Sequence, residues 1–202
     1  MNEPARPPPI LTALDRDSSF MGRVKNAWRM EFANLRIRLL LFTLLAQLLP
    51  VGRATLLRTT LIRAIGFRIG AGTRFLGAPK IQSQQPGRLG PRVTIGRQCV
   101  IGARVILESG DSMTLGDRVS LADGVVILTT THQLGPREHR AGTVMRSPVV
   151  IGNDVQVGAD VIILPGATLG DGARVLPNSV VNAAVAAGIT VSGIPARPLR
   201  QS

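Results

Sequence analysis

The chain has 202 residues, a single cysteine, no tyrosine and a formal net charge of +12 carried almost wholly by arginine. One cysteine excludes an internal disulfide and a zinc-finger spacing, and makes a reducing, cytoplasmic compartment the default. Five Phe and one Trp are too few stacking platforms for a single-strand reader, so the basic balance points to an anionic ligand or membrane face rather than nucleic acid.

Residues 1–19 carry Pro7-Pro8-Pro9 and no apolar stretch of signal-peptide length, which predicts a mobile tail. Residues 20–67 are helical in composition, with a break at Pro50-Val51-Gly52. The apolar run 39–49 is interrupted by Thr43 and Gln47, and it falls short of the roughly 20 residues a spanning helix needs. Arg29, Arg36, Arg38, Arg53, Arg58, Arg63 and Arg68 flank and intersperse the apolar residues. Two readings stand side by side. The helices pack on the outside or end of the following domain and shield an edge strand, or they lie as a basic interfacial segment on anionic lipid at the inner membrane face.

From about residue 69 the chain repeats every six residues, an aliphatic residue followed often by Gly, with a small or β-branched residue four places on. Examples are Ile95-Gly96 with Cys99, Ile101-Gly102 with Val105, Leu115-Gly116 with Val119, Ile151-Gly152 with Val155, and Val157-Gly158 with Val161. Between 151 and 187 the register is expected to run unbroken. Six residues make a short strand and a corner, and three hexads close a triangular turn of about 18 residues that stacks on the next at about 4.8 Å. Inward aliphatics would stack on equivalents one turn away, and Gly would relieve the backbone where the chain turns. The steps Leu107 to Leu115 and Ile81 to Ile95 each exceed a multiple of six by two residues and read as corner bulges. Pro165, Pro177 and the many glycines exclude a helix.

His132 ends "VVILTTTH" (125–132), after an in-register hexad, and precedes "QLGPREHRAGTVMRSP" (133–148), which breaks the repeat. That stretch reads as an extruded loop, and a histidine at the root of a loop on a rigid scaffold is where chemistry is expected. Imidazole titrates near neutrality and can take the proton of an attacking hydroxyl. His139 reads as a loop residue, and Cys99, at a small inward position, as core rather than nucleophile. Two histidines and one cysteine give no zinc set, so no metal is expected.

The hexads, with "IGNDVQVGADVIILPGATLGDGARVLPNSVV" (151–181) and the ending "SGIPARPLR" (192–200), resemble the hexapeptide-repeat acyltransferases over residues 69–200. The lead-in "RTTLIRAIGFRIG" (58–70) is similar to that of the subgroup acetylating colanic acid and other exopolysaccharides. The resemblance implies an all-β, left-handed parallel β-helix over residues 68–200 and a homotrimer. It implies transfer of acetyl from acetyl-CoA to a sugar or glycan hydroxyl, with His132 as general base and no acyl-enzyme. Carried over residue by residue, Gly158, Ala159, Pro177 and Asn182 would line the CoA groove, with Arg197 and Arg200 near the phosphates. An Asn found one turn before the catalytic His in related sugar acetyltransferases is absent, with Arg104 in the nearest position. Gln156 stands where an aromatic is frequent, and Ala183 where a Lys is often found. Glu108, Asp111 and Asp123 are the carboxylates within about one turn that could orient His132. N-acetylation of an amino-sugar nucleotide, or a scaffold without catalysis, are the alternatives.

Overall fold

A computed structural model describes residues 44–45, 48–64, 66–82 and 92–199. The tail 1–19, most of the segment 20–67, the stretch 83–91 and Arg200 lie outside the described residues.

The first helix with defined bounds is α1, Thr55–Ala64. It is free of Gly and Pro and stops before Gly66, whose φ of 102° suits only glycine. It turns Arg58, Thr59 and Ile62 inward. Arg58 is fully buried and donates to the carbonyls of Phe75 at 3.0 Å, Leu76 at 2.9 Å, Leu49 at 2.8 Å and Pro50 at 3.0 Å. The guanidinium thus satisfies backbone acceptors at the first edge of the coil. This is the packing reading of the basic segment for the residues described.

Short strands follow in threes. β1 (Arg68–Ile69), β2 (Arg74–Phe75) and β3 (Lys80–Gln82) make the first coil. β4 (Val93–Ile95), β5 (Val100–Ile101) and β6 (Ile106–Glu108) make the second. β7 (Met113–Leu115), β8 (Ser120–Leu121) and β9 (Val126–Ile127) make the third. A hairpin of β10 (Thr130–Leu134) and β11 (Ala141–Arg146) then leaves the coil. β12 (Val149–Ile151), β13 (Gln156–Val157) and β14 (Ile162–Ile163) make the fourth coil, and β15 (Thr168–Leu169), β16 (Arg174–Val175) and β17 (Val180–Val181) the fifth. β18 (Thr190–Ser192) and β19 (Arg197–Pro198) close the chain.

Equivalent strands pair in parallel and form three faces, with β19 added antiparallel at the end of the second. Their orders are β1-β4-β7-β12-β15, then β2-β5-β8-β13-β16-β18-β19, then β3-β6-β9-β14-β17. This is the parallel β-helix expected from the hexads. Inward residues stack coil on coil, as in Ile127, Ile163 and Val181 on the third face, and are buried to within a few percent. The residues four later, from Cys99 through Ala173 to Ser179, are equally buried, so their small size is a packing requirement.

The outer sides of the faces differ. The first carries Thr94, Thr114, Val150 and Thr168, and the second Arg74, Val100, Ser120, Gln156 and Arg174. The third carries Ile106, Val126, Ile162 and Val180 in unbroken succession, all half-buried.

Three expectations need correction. First, the step from Ile81 to Ile95 is one hexad plus eight residues, because β3 and β4 lie on successive faces and Ile69 pairs with Ile95, 26 residues on. Second, the register does slip between 151 and 187. Val175 pairs with Val191 and Leu169 bridges Val185, each 16 residues on, so the last coil is two residues short. Third, the glycines after the inward residue do not make the turns. Gly158 has no left-handed φ. It is there because a Cβ would meet the Pro177 nitrogen of the next coil at 2.6 Å. The left-handed residue comes two positions later, a glycine at Gly72, Gly124, Gly166 and Gly172, and Gln98, Arg104, Arg118, Asp154, Asp160 and Asn178 at φ between 55° and 59° elsewhere.

Every departure from the 18-residue period falls on one corner, where the third face hands over to the first. It takes eight extra residues after β3, two after β6 and 18 after β9, and loses two after β17. The other two corners keep their spacing and are held by side-chain to backbone bonds. On the corner after the first face Asp117 accepts from Arg97 N at 2.7 Å, Asn153 from Asp117 N at 2.9 Å and Asp171 from Asn153 N at 2.8 Å. The neutral Asn between two carboxylates avoids stacking like charges at coil spacing.

Candidate active site

The stretch read as an extruded loop leaves the coil as an antiparallel hairpin with Thr130 opposite Arg146, Thr131 opposite Met145 and His132 opposite Val144, and a register shift before Leu134. His132 is exposed on β10, and its Nδ1 lies 3.1 Å from the Gly142 carbonyl across the hairpin. A carbonyl only accepts, so in the neutral ring Nδ1 carries the proton and Nε2 keeps its lone pair facing outward. That is the protonation state a general base requires.

The hairpin is tied down at its root. Thr129 is fully buried. Its amide donates to Glu108 Oε2 at 2.8 Å, and its hydroxyl lies within donating distance of the Glu108 carbonyl at 2.8 Å. The same hydroxyl oxygen accepts from the Gly110 and Asp111 amides at 2.8 and 3.0 Å. Thr130 Oγ1 donates to Glu108 Oε1 at 2.8 Å. The returning leg is fixed by Ser147 N donating to the Thr129 carbonyl at 3.0 Å.

The three carboxylates considered as partners for His132 are engaged elsewhere. Glu108 holds the two threonines. Asp111 accepts from Ser112 N at 2.6 Å, and Asp123 from Ala103 N at 2.8 Å on a different corner. The group that orients His132 is instead the Gly142 carbonyl. No side-chain reading could have found it, since every residue carries a carbonyl. Arg104 sits at a left-handed corner between β5 and β6, away from the hairpin corner.

His139 lies exposed in the hairpin turn, its amide donating to the Pro136 carbonyl at 3.0 Å. Cys99 is buried, its thiol near the Gly116 carbonyl at 3.2 Å, and burial pushes that thiol up from its ordinary pKa. It is packed as core. Among the described residues no cluster of three or more His, Cys, Asp or Glu could hold a metal.

The residues considered for CoA fall into two groups. Gly158, Ala159 and Pro177 adjoin one another on the corner between the second and third faces, where Asn178 N donates to the Ala159 carbonyl at 2.9 Å. Asn182 and Arg197 line a cleft of about 280 Å³ at the last coil, with Val181, Val185, Ile189 and Val191 as its apolar wall. Asn182 stands on the hairpin corner, two coils beyond Leu128. Arg197 is exposed in β19, its guanidinium near the Ala196 carbonyl at 3.1 Å.

A stack of hexad coils broken once by a hairpin with an outward-facing histidine defines the class, a hexapeptide-repeat β-helix protein of the transferase type. Family models match on either side of the hairpin. "Hexapeptide repeat of succinyl-transferase" covers residues 92–129, and "Bacterial transferase hexapeptide (six repeats)" covers 148–183. Over these residues the chain is similar to the hexapeptide-repeat transferases. It is 29% identical over 112 residues to the galactoside O-acetyltransferase of Escherichia coli K12, covering 55% of each chain. It is 43% identical over 56 residues to a 2,3,4,5-tetrahydropyridine-2,6-dicarboxylate N-acetyltransferase of Staphylococcus aureus, covering 28% of this chain and 23% of that one. The chain thus spans about half, or less, of the length of these curated relatives. A hexapeptide-repeat-containing acetyltransferase from Vibrio cholerae superposes with TM-score 0.71 at 28% identity, over 84% of this chain and 92% of that one. That Vibrio protein has also been solved with acetyl coenzyme A.

Proposed function

We propose that this chain transfers acetyl from acetyl-CoA to a hydroxyl of a sugar, in the assembly of an exopolysaccharide or capsule precursor. The observation that carries the reading is His132 on its hairpin, with Nδ1 committed to the Gly142 carbonyl and Nε2 free. Nε2 takes the proton of the acceptor hydroxyl as its oxygen attacks the thioester carbonyl. The tetrahedral intermediate expels the CoA thiolate, which takes the proton back from the imidazolium. No covalent enzyme intermediate is needed, in keeping with the burial of Cys99. Incubation of the purified chain with labelled acetyl-CoA and lipid-linked glycans tests this. Label should enter the glycan as an alkali-labile ester. An alkali-stable amide would favour an amino-sugar acceptor, and absence of transfer to any glycan would overturn the reading.

The working form is a homotrimer. His132 and the Gly158–Ala159–Pro177 group lie on different corners of one chain, at the two edges of the third face. That face carries the aliphatic stripe Ile106, Val126, Ile162 and Val180. Under closed threefold symmetry one edge of this face would meet the opposite edge in the next chain and bring the two groups together. Ile162→Asp is expected to give monomers by light scattering, with loss of turnover. A trimer unchanged by Ile162→Asp argues against this face.

The N-terminal segment is proposed to rest against anionic lipid. α1 packs with one side, yet Leu44, Leu45, Leu48, Val51, Leu56 and Leu57 are exposed. Among the described residues no helix is long and apolar enough to cross a membrane. Surface contact of this kind gains on the order of 1 kcal/mol per arginine and weakens with salt. The protein should sediment with anionic vesicles at low salt, and less so as Leu56→Glu/Leu57→Glu, a change that spares the buried Arg58. A supernatant protein at low salt would leave these leucines without a lipid role.

A further inference from the structure

The chain places a carboxylate where its own repeat does not need one. On the third face the position after the inward residue is filled in successive coils by Gln82, Glu108, Leu128, Leu164 and Asn182. Leu128 and Leu164 show that the coil closes there with an apolar side chain. Glu108 is only 9% exposed, and burying a carboxylate is unfavourable unless its oxygens are hydrogen-bonded.

They are bonded, and among the described residues only to the root of the hairpin. Oε2 accepts from the Thr129 amide at 2.8 Å, with the Thr129 hydroxyl also near at 3.1 Å, and Oε1 accepts from the Thr130 hydroxyl at 2.8 Å. Two consecutive residues of the departing strand are therefore clamped one coil below. His132 lies two residues beyond Thr130, on the same side of β10, since side chains alternate along a strand. Beyond this root the strands pair with each other alone. A lone hairpin is marginal in water, and a strand with two exposed sides is prone to slip. A one-residue slip would turn His132 to the other side and take Nδ1 from the Gly142 carbonyl.

We propose that Glu108 is the positioning residue for His132. By clamping Thr129 and Thr130 it sets the register of β10 against β11, and so holds the Nδ1–H tautomer that leaves Nε2 able to take a proton. The consequence for rate rests on the acetyl-transfer reading; the clamp itself does not.

The test is nitrogen NMR of the histidine rings in the full chain, which has only two, with His139→Ala to assign the His132 signals. Wild type should show mainly the Nδ1–H tautomer in the neutral ring. Glu108→Ala should relax it toward the Nε2–H form of free imidazole, lower kcat by about 10-fold or more, and leave KM for acetyl-CoA within about twofold. Glu108→Gln keeps an oxygen for the Thr129 amide and an NH2 for the Thr130 hydroxyl, so it should restore both tautomer and kcat. A role in stability alone would lower the melting temperature and leave the tautomer untouched. Thr130→Val removes a single link at a half-exposed position and should shift the tautomer in the same direction. A wild-type tautomer ratio in folded Glu108→Ala, or in Thr130→Val where Glu108→Ala does not fold, overturns the proposal. Tautomer coupling in a wild-type protein that transfers no acetyl would strike the enzyme reading and leave the clamp standing.

Discussion

Coils four and five and the hairpin that precedes them are neighbours built on opposite terms. From Val149 to Val181 the period is 18, inward side chains are buried to 1% or less, and parallel strands pair from coil to coil. From Thr130 to Arg146 nearly every side chain is exposed, and the two strands pair only with each other. The regular part needs nothing beyond small corners and aliphatic interiors, and it holds no unengaged titratable group in its core. The irregular part carries the free imidazole nitrogen. Repetition supplies a rigid edge, and the one corner that tolerates insertions presents an imidazole from it.

The sharpest way to break this contrast is to remove the chemistry without touching the coil. His132→Ala should lower turnover by about 100-fold or more, the usual cost of losing a general base, while the melting temperature stays near wild type because the side chain is exposed. His139→Ala, three residues past the turn carbonyl that binds its amide, should cost far less. Assay of acetyl transfer beside thermal melts decides it; wild-type turnover in His132→Ala would end the mechanism.

The reverse change should spare chemistry and cost stability. Ile163 is fully buried and stacked between Ile127 and Val181. Ile163→Ala should destabilise by about 2–5 kcal/mol, the range for deleting a buried aliphatic into a cavity, while the folded fraction keeps its turnover. Urea unfolding followed by activity at low temperature measures both. A loss of turnover in the fully folded variant would mean that the coil and the hairpin are not the separable regions described.

The same contrast explains what could be read from sequence. The hexads were legible because burial repeats at the spacing of the coil, so Ile151, Val157 and Ile163 announce themselves. The shortened last coil was hidden because "VNAAVAAG" (181–188) offers small residues in either register. The left-handed corners were hidden at Gln98, Arg104 and Arg118, residue types that carry no signal for positive φ, whereas Asp154, Asp160 and Asn178 are types that tolerate it. His132 was legible as a titratable group at a break in the repeat. Its partner was not, because the Gly142 carbonyl depends on a strand pairing that a segment with three glycines and prolines among its first ten residues does not reveal. Glu108 was one of three carboxylates that could orient His132 directly; its place one coil below puts its oxygens on Thr129 and Thr130 instead.

The smallest expected effect lies in the coil's own electrostatics. Arg118 and Asp154 occupy equivalent left-handed corner positions of adjacent coils and form a two-pronged pair, with Nε to Oδ1 at 2.6 Å and Nη2 to Oδ2 at 2.7 Å. The hydrogen bonds from Arg118 hold the Asp154 carboxyl below the usual carboxylate range. Asp154 in turn raises the pKa of Arg118, with a lesser contribution from Asp117 and Asp171. A carboxyl whose folded pKa is depressed binds its proton more readily in the unfolded chain. Its stabilising contribution is therefore fully present above the unfolded value of about 3.9 and is lost as pH falls through the lower folded value. Both side chains are about half exposed, so solvent and salt screen the pair and the effect is small. Arg118→Gln keeps a long polar side chain at the same left-handed corner and removes only the charge. The gap in melting temperature between wild type and Arg118→Gln should hold steady from pH 7 to pH 5, then narrow below about pH 4. It should also narrow in 1 M salt at neutral pH. A gap that stays constant down to pH 3 would show that the substitution acts through the backbone corner rather than through the ion pair, and would remove electrostatics from the account of how adjacent coils hold together.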